Sequence, residues 1–204
     1  MSFYERRILP WLLDLAMNAK PIRYQRRKVV PLAEGRVLEI GLGSGPNLAF
    51  YDPAKVTHVW GLEPSAEMRA IARKRAGDIK FGLEFLDLKA EEIPLEDKAA
   101  DTVLVTYTLC TIADVARALK GMRRVLKPGG RLIFCEHGKA PDENVRKWQE
   151  RLTPIWKAIG GGCHLARPIP ELIREGGFQI EKMETMYLPG TPRFAGFNYW
   201  GSAR

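Results

Sequence analysis

Three glycines at alternate positions follow a short apolar run near residue 40, and a carboxylate ends the next apolar run. Residues 37–47 read Val-Leu-Glu-Ile-Gly-Leu-Gly-Ser-Gly-Pro-Asn, and Glu63 follows the run at residues 59–62. Glycines placed directly after a strand let a bulky ligand lie against the backbone. A carboxylate at the end of the neighbouring strand can accept hydrogen bonds from both hydroxyls of a ribose. The pattern therefore predicts a site for a ligand that contains a nucleoside.

The spacing of the glycines separates classes of nucleotide ligand. The dinucleotide fingerprint requires a glycine three positions after its second glycine, where this chain has Pro46. A phosphate-binding loop would continue with Gly-Lys-Ser/Thr, which does not occur here. Glu39, two residues before Gly41, would repel a pyrophosphate and would suit a positively charged ligand. The loop alone is also compatible with a structural turn, so the later motifs decide.

The ordered motifs over residues 36–137 resemble those of the class I S-adenosylmethionine-dependent methyltransferases, in particular the type 11 and ubiquinone/menaquinone-biosynthesis members. Residues 90–95, Ala-Glu-Glu-Ile-Pro-Leu, and 126–132, Leu-Lys-Pro-Gly-Gly-Arg-Leu, resemble two further motifs of that family. The resemblance implies S-adenosyl-L-methionine as cofactor and S-adenosyl-L-homocysteine as product. The positions that it implies for cofactor binding are Glu39, Gly41, Gly43, Gly45, Asn47, Glu63, Pro64, Asp87, Ala90, Glu91 and Thr106.

One position departs from the family pattern. Many relatives have an acidic residue before the Ala-Glu pair, and it receives the adenine amino group. This chain has Lys89 there, which can only donate hydrogen bonds. Recognition of adenine would then fall to Asp87, Glu91 or backbone groups.

Alternating strands and helices are expected to position these residues. Apolar runs predict strands at 36–41, 57–62, 81–86, 101–106, 131–136, 178–187 and 194–203. Helical periodicity predicts helices at 65–76, 112–126, 142–159 and 169–176, with Ser65 as the N-cap of the first. The Lys-Pro-Gly-Gly segment at 127–130 is expected to end the second helix and turn the chain.

The fold expected from this order and from the resemblance is α/β and Rossmann-like. It is a seven-stranded, mostly parallel sheet with helices on both faces, an antiparallel last strand and an N-terminal helical lid. We read residues 1–204 as a single methyltransferase domain. Its expected parts are a lid at 1–34, a cofactor-binding half at 35–137, and acceptor-side helices with a C-terminal antiparallel hairpin at 138–204. The ligand should lie beyond the carboxyl ends of the strands.

The C-terminal third is similar to a subgroup of methyltransferase-like thiol S-methyltransferases. The shared features are Glu136-His137, Trp148 with Pro154-Ile-Trp156, Gly162-Cys163-His-Leu-Ala-Arg167 and the closing Gly196-Phe-Asn-Tyr-Trp-Gly201. Members of that subgroup associate with membranes or lipid droplets, and bacterial relatives are described as phospholipid or quinone methyltransferases. The similarity implies a small, apolar acceptor, with a thiol favoured over an amine.

Two residues are candidates for the catalytic apparatus. A thiol acceptor needs only to lose its proton, and His137, at the end of the fifth strand, is the candidate base. Tyr107, after the fourth strand, is expected to shape the acceptor site or to hydrogen-bond the acceptor. The alternative for His137 is a turn histidine bonded to the backbone.

Other site chemistries receive less support from the sequence. The Asn/Asp-Pro-Pro-aromatic motif of amino-methyltransferases and the Pro-Cys nucleophile of cytosine enzymes do not occur, so a nucleic-acid substrate is not favoured. No metal site is expected, because the three histidines form no pair at ligand spacing and Cys163 and His164 are adjacent. Three widely separated cysteines indicate no disulfide framework, which favours a cytoplasmic setting.

Positive charge is concentrated at the N-terminus. The net charge of the 204 residues is +8, and residues 1–36 contain eight basic and three acidic side chains. Apolar residues recur there at helical spacing, with Pro10 expected to kink or restart the helix. We interpret this segment as a lid over the cofactor, with a surface that meets an anionic membrane or an acidic partner as the alternative. Nucleic acid is a third possibility, since a basic segment alone does not distinguish these partners. No signal peptide and no membrane-spanning run are evident.

The function predicted from the sequence is methyl transfer from S-adenosylmethionine to a small nucleophile, with a thiol favoured. The alternatives are N-methylation of a phospholipid amine at a membrane surface, and cofactor binding without catalysis. Neither the acceptor nor the oligomeric state follows from the sequence.

Overall fold

A seven-stranded sheet forms the centre of the molecule in the computed structural model, which describes residues 4–77 and 79–204. Residues 1–3 of the expected lid lie outside the described residues. The strand order is β3-β2-β1-β4-β5-β7-β6. The strands are β1 Gly35–Ile40, β2 Val56–Leu62, β3 Gly82–Leu86, β4 Ala100–Thr106, β5 Leu126–His137, β6 Ile180–Tyr187 and β7 Phe197–Ala203. The first five are mutually parallel, and β7 runs antiparallel to both β5 and β6, which confirms the expected fold class.

Within the described residues, seven α-helices connect and cover the strands. They are α1 Leu9–Met17, α2 Lys20–Val29, α3 Ala66–Arg75, α4 Val115–Val125, α5 Glu143–Ile159, α6 Ile169–Glu175 and α7 Arg193–Gly196. Ser65 is the N-cap of α3 as expected, because its hydroxyl accepts a hydrogen bond from the backbone N–H of Met68 at 3.2 Å. Asp114 caps α4 in the same way through the N–H of Arg117 at 2.9 Å. No helix in the described part of the chain is long and apolar enough to cross a membrane.

Two hydrophobic cores lie on opposite faces of the sheet, since alternate side chains of a strand point to opposite sides. On one face Leu38, Val103 and Phe134 pack with residues of α4 and α6. On the other face Val37, Leu104 and Ile133 pack with Ala72 of α3 and with the segment that follows α2. The helices therefore cover both faces, as the expected fold requires.

The segment at 127–130 differs from its prediction. It was expected to form a turn before the fifth strand, whereas β5 already begins at Leu126. Ala100 pairs with Leu126, but Thr102 pairs with Arg131, so the register shifts between the two pairs. The additional residues bulge out of the ladder, and Gly129 adopts a positive φ of 81° within the bulge.

The two N-terminal helices lie against the carboxyl ends of the strands. Pro10 occupies the first turn of α1, after a π-helical turn at Tyr4–Ile8, so the helix restarts there as expected. Ser44 of the glycine loop donates a short hydrogen bond to Asp14 of α1. Arg75 of α3 donates to the same carboxylate at 2.9 Å and to the Ser44 carbonyl oxygen at 3.0 Å. This three-residue contact, which we call the lid clasp, fastens α1 to the glycine loop.

Candidate functional site

A cavity of about 840 Å³ opens beyond the carboxyl ends of β1, β2, β4 and β5. This volume is within the range of sites for drug-sized ligands, roughly 300–1,000 Å³. The glycine loop and Glu63 line one end, and side chains from α1 and α2 cover it. Tyr107, His137 and Trp156 line the other end. We name these the cofactor end and the acceptor end, after the roles that the sequence predicts for their residues, and both lie beneath the expected lid.

The glycine loop gives the cofactor end its shape. Gly41 has a φ of +68°, and a Cβ there would lie 2.4 Å from the side chain of Thr108, which follows β4. A side chain at Gly41 is therefore excluded both by backbone conformation and by space. Gly43 borders the cavity, and a Cβ on it would meet nothing nearer than Met68 Cε at 3.6 Å. This open backbone is the surface on which the loop can hold a ligand, whereas Gly45 packs against Leu48 outside the cavity lining.

Glu63 lies at the end of β2 and lines the cavity beside the loop. One carboxylate oxygen accepts a hydrogen bond from the Gly43 N–H at 3.0 Å, and the other accepts one from the Ser65 N–H at 2.8 Å. Burial raises the pKa of Glu63, although these backbone hydrogen bonds oppose the shift. Each oxygen retains a lone pair that can accept a ribose hydroxyl. The position fits the role predicted for it.

Glu39 lies beneath the loop and does not line the cavity. It is buried, and its oxygens accept hydrogen bonds from Asn47 Nδ2 at 2.9 Å and from the Tyr51 hydroxyl at 2.6 Å. Burial raises the pKa of Glu39 to about 7, against these hydrogen bonds and the charge of Arg26. The structure therefore places Glu39 and Asn47 as supports of the loop. Because neither lines the cavity, the charge of Glu39 can act on a bound cation through its electrostatic field but not by contact.

Arg26 of α2 links this support to the cavity. The side chain is 3% exposed, and Nη1 donates to Asn47 Oδ1 and to Thr106 Oγ1, both at 2.6 Å. The guanidinium also lies over the Tyr107 ring, 5.3 Å from its centroid. Arg26 is one of the eight basic side chains of the N-terminal segment, which the sequence predicts to be a lid. No periodicity marks a buried arginine, so the sequence held no signal for it.

The residues around the predicted adenine site divide into two groups. Pro64, Lys89, Ala90 and Glu91 line the cavity. Asp87 does not, because its carboxylate pairs with the buried Arg69 of α3. Glu91 Oε1 accepts a hydrogen bond from the Asp114 N–H at 3.1 Å, which leaves Oε2 as an acceptor. Of the two acidic side chains considered for adenine, the structure thus brings Glu91 to the cavity.

Tyr107 lines the cavity, and the buried Glu136 supports the loop that follows it. Tyr107 has a φ of +54° and donates its hydroxyl hydrogen to Asn198 Oδ1 at 2.6 Å. Its hydroxyl is therefore engaged with β7, while the ring faces the cavity. Glu136 is buried and accepts hydrogen bonds from the N–H groups of Thr108 and Leu109 at 2.7 and 3.1 Å. Burial raises its pKa to about 7.

His137 faces a thiol at the acceptor end. Its Nε2 lies 3.1 Å from Sγ of Cys163, and Nδ1 has no partner among the described residues. Burial lowers the pKa of His137 and the hydrogen bond with Cys163 raises it, and the net result is a pKa above its ordinary value. Hydrogen bonds from Cys110 and from His137 lower the pKa of Cys163. The three side chains line the cavity together, so His137 is bonded to a side chain and not to the backbone.

Sequence analysis missed this grouping. Cys110 follows β4, His137 ends β5 and Cys163 follows α5, so their positions along the chain gave no spacing signal. The absence of ligand spacing argued against a metal site, yet the donor atoms of the three residues lie within 4.8 Å of one another. The parallel sheet brings the loops together, which a search for local motifs cannot detect. The lid clasp was missed for the same reason.

Comparisons with known proteins agree with this geometry. The family model described as a methyltransferase domain matches residues 38–134. The thiol S-methyltransferase TMT1B of Rattus norvegicus is 35% identical, over 80% of this chain and 70% of its own. The demethylmenaquinone methyltransferase of Thermus thermophilus is 33% identical, over 74% of this chain and 73% of its own.

A solved structure has the same fold over nearly the whole chain. It is an S-adenosylmethionine-dependent methyltransferase of Thermotoga maritima, described as a possible histamine N-methyltransferase, with a TM-score of 0.66 and 25% identity. It covers 98% of this chain and 96% of its own. The open glycine backbone, the carboxylate of Glu63 and the cavity size fit the cofactor of these relatives. The chain therefore belongs to the family of S-adenosylmethionine-dependent methyltransferases.

Proposed function

We propose that this enzyme transfers the methyl group of S-adenosylmethionine to the sulfur of a small, apolar thiol. The observation that carries the proposal is the cluster of His137 and Cys163 at the acceptor end of an otherwise largely apolar cavity. The relatives named thiol S-methyltransferases, in Rattus norvegicus and Homo sapiens, support the same acceptor class.

Such a transfer requires the residues of the chain only to bind the two substrates, to exclude water and to remove one proton. When bound, the cofactor supplies an electrophilic methyl group on a sulfonium. Glu63 and the glycine loop would hold the nucleoside, and the apolar lid would exclude water from the reacting atoms. A thiol is a weak nucleophile until it loses its proton, so the acceptor end must favour the thiolate. In this proposal His137 is the base that receives the proton, and Tyr107 borders the acceptor.

Methyl transfer to a thiol panel tests the proposal directly. The purified enzyme is incubated with S-adenosylmethionine and, in parallel, with small alkyl and aryl thiols, with matched alcohols and amines, and with vesicles that contain phosphatidylethanolamine. We expect thioether and S-adenosylhomocysteine in equal amounts with thiols alone. Turnover with the lipid amine alone would replace the thiol with the second candidate below. Binding of S-adenosylhomocysteine without any turnover would indicate a cofactor-binding protein.

A membrane-associated acceptor is the second candidate, because apolar side chains are exposed around the lid. On α1 Trp11 and Leu15 are 62% and 61% exposed, and on α5 Ile155 and Ile159 are 64% and 52% exposed. The π-helical turn before α1 contacts the end of α5, since the Tyr4 hydroxyl donates to the Ile159 carbonyl oxygen at 2.7 Å. We call these four exposed side chains the lid patch. Together with the net charge of +8, the patch supports the proposal of peripheral contact with an anionic membrane.

Vesicle co-sedimentation tests the membrane contact. We expect the enzyme to sediment with vesicles that contain phosphatidylglycerol and to be released by salt, since screening weakens attraction to anionic lipid. The double substitution Trp11→Ser, Leu15→Ser should abolish sedimentation. Leu32→Ser is the matched control, because Leu32 is also half exposed but lies between α2 and β1. Equal sedimentation of both variants would rule out the lid patch as the membrane contact.

A further inference from the structure

Three soft donor atoms converge at the acceptor end of the cavity. Sγ of Cys110, a ring nitrogen of His137 and Sγ of Cys163 all lie within 4.8 Å of one another, and the His137 Nε2–Cys163 Sγ distance is 3.1 Å. Four tetrahedral ligands at about 2.0–2.3 Å from a zinc ion stand roughly 3.5 Å apart. The three donors therefore lie close enough together to bind a single ion after adjustments of side-chain torsions.

The backbone holds these loops in register. The His164 N–H donates to the Cys110 carbonyl oxygen at 2.9 Å, which fastens the loop after α5 to the loop after β4. The Cys163 N–H donates to the Gly160 carbonyl oxygen at 3.3 Å and forms a turn at the end of α5. His137 is the last residue of β5, where it pairs with Asn198 of the antiparallel β7. A metal ion would therefore meet ligands that the fold has already positioned.

The donor set identifies the class of metal. Two thiols and one imidazole suit a borderline-soft cation, and the group contains no carboxylate of the kind that Mg²⁺ or Ca²⁺ requires. Two cysteines and one histidine with an open fourth position form a known arrangement for catalytic zinc. We propose that Cys110, His137 and Cys163 bind Zn²⁺ and that the acceptor thiol occupies the fourth position. This inference rests on the proposed thiol function for the identity of the fourth ligand, and it replaces the expectation of no metal site.

The charges and atoms of the transfer balance in this arrangement. Two thiolates neutralise Zn²⁺ in the largely apolar cavity. The acceptor R–SH releases its proton to solvent when its sulfur binds the ion, because a metal-bound thiol is deprotonated. That sulfur then attacks the methyl carbon, and a C–S bond forms as the bond from methyl to the sulfonium sulfur breaks. The electron pair stays on the cofactor sulfur, so the products are R–S–CH₃, S-adenosylhomocysteine and H⁺. In this arrangement His137 is a zinc ligand in place of the base described under the proposed function, and no protein base is needed.

Metal binding is tested on the reduced full-length enzyme without any substrate. The enzyme is treated with a chelator, dialysed under a non-metal-binding reductant and titrated with Zn²⁺ alone by calorimetry, and in parallel with Co²⁺ by absorption. We expect one Zn²⁺ per chain, and a cobalt spectrum with thiolate charge-transfer bands and tetrahedral d–d bands. Cys110→Ser, Cys163→Ser and His137→Gln should each weaken zinc affinity by more than about 100-fold, because even changes behind the ligands cost up to about 100-fold.

Two control variants separate loss of a ligand from general damage. Cys135→Ala removes a buried cysteine that contacts the Tyr107 hydroxyl but is not part of the cluster. His164→Ala removes an imidazole next to Cys163 in the chain that is also not part of the cluster. Both should retain zinc stoichiometry and the cobalt spectrum. Equal loss of zinc in these controls, or no zinc bound by the reduced wild type, would overturn the proposed site.

Failure of the metal site and failure of the thiol function give different results. Zinc bound by the cluster, with no methylation of any thiol, would retain the site and reject the thiol acceptor. Thiol methylation that survives chelation in a zinc-free enzyme would retain the function, leave His137 as its base and reject the metal. Joint support requires that chelation abolishes thiol methylation, that Zn²⁺ restores it, and that S-adenosylhomocysteine binds equally in both states.

Discussion

Glu63 serves two purposes at the scale of the single residue. Its carboxylate accepts hydrogen bonds from the N–H groups of Gly43 and Ser65, so it orders the glycine loop and the start of α3. The same side chain lines the cavity. A substitution at this position should therefore affect both cofactor binding and the loop. Glu63→Gln retains one acceptor oxygen and the size of the side chain, whereas Glu63→Ala removes both contacts.

Glu63→Ala is predicted to weaken cofactor binding by about 100-fold or more. A hydrogen bond to a charged group contributes about 1.5–3 kcal/mol, and two ribose hydroxyls would be left without their acceptor. Calorimetry with S-adenosylhomocysteine measures the change, with circular dichroism to confirm that the variant is folded. An unchanged dissociation constant would show that the nucleoside binds elsewhere.

Cofactor affinity is predicted to depend on pH through the same carboxyl group. Burial raises the pKa of Glu63 above its ordinary value of 4.5, so the group gains its proton at a higher pH than an exposed glutamate. The ionised form is the double acceptor, and affinity should therefore fall as the pH falls through this raised pKa. Titrations between pH 5 and about 8 on wild type and Glu63→Gln check this, since the amide cannot titrate and the contribution of Glu63 to the slope should disappear, whereas that of Glu39, whose pKa is raised to about 7, should remain.

The residues of the cofactor end illustrate what a sequence can predict. Gly41, Gly43 and Glu63 are adjacent to strands that their own apolar runs indicate, so local pattern places them at the cavity. The fold of the sheet and the lid brings three further residues to the cavity, Cys110, Cys163 and Arg26. No local sequence pattern indicates them. Asp87 and Glu39 have the right chemistry, but buried partners hold them away from the ligand.

At the scale of elements, the lid clasp holds α1 against the glycine loop. Burial raises the pKa of Asp14 and hydrogen bonds from Arg75 and Ser44 lower it, and the net result is a pKa below its ordinary value. The clasp therefore persists with Asp14 ionised at neutral pH. Because Ser44 belongs to the cofactor loop, movement of the lid and shape of the loop are coupled.

Asp14→Ala is predicted to loosen the lid and to leave the sheet intact. Without the carboxylate, Arg75 loses its ion pair and Ser44 its acceptor, so amide hydrogen exchange should accelerate in residues 9–17 and cofactor should dissociate faster. Exchange measured by mass spectrometry checks this. Asp52→Ala is the control, since Asp52 pairs with Lys55 on the surface at 3.9 Å. Exchange in α1 that matches the wild type would show that the clasp does not hold the lid.

Gln149 fastens α5 to the sheet. The buried amide donates to the carbonyl oxygens of Gly138, Leu165 and Phe194 at 2.9–3.1 Å, and its oxygen accepts the Ala140 N–H at 3.0 Å. Four backbone groups from three segments thus depend on one side chain. Gln149 therefore joins the loop that follows His137 to the loop that follows α5.

Gln149→Ala is predicted to lower the free energy of unfolding by about 3 kcal/mol or more, because each buried polar group left without a partner costs about 1–3 kcal/mol. For a chain of this size that corresponds to a fall in Tm of roughly 6–12 °C. Differential scanning calorimetry checks it against Glu150→Ala, an exposed neighbour on the same helix. Equal melting of the two variants would contradict the role assigned to Gln149.

At the scale of the whole molecule, ligand binding and global stability are linked. The cofactor cavity is formed by β1, β2, β4, the lid and α5, so a ligand in it contacts elements from most of the chain. S-adenosylhomocysteine at about 100 times its dissociation constant should stabilise the fold by about 2.7 kcal/mol, or roughly 5–11 °C in Tm. Thermal shift measurements with NAD as control check this. Equal shifts with both ligands would indicate that the site does not distinguish the cofactor.

The sheet was the part of the molecule that the sequence predicted best. All seven expected strands form. The bulge at 127–130 was not expected, since a Pro-Gly-Gly segment is typical of a turn and only pairing with β4 draws it into the ladder. The exposed lid patch also escaped the sequence, because helical periodicity does not distinguish a covered apolar face from an exposed one.

The position of β7 has a consequence for how the chain folds. Phe197–Ala203 lies between β5 and β6, and in the described sheet β6 is joined to the other strands through β7. While the chain is being synthesised, β5 therefore has an unpaired edge and β6 has no place in the sheet until the later strand arrives. Pairing over such sequence distances is slow, and open strand edges favour association between chains. Chaperone dependence and aggregation during refolding should both originate at this edge.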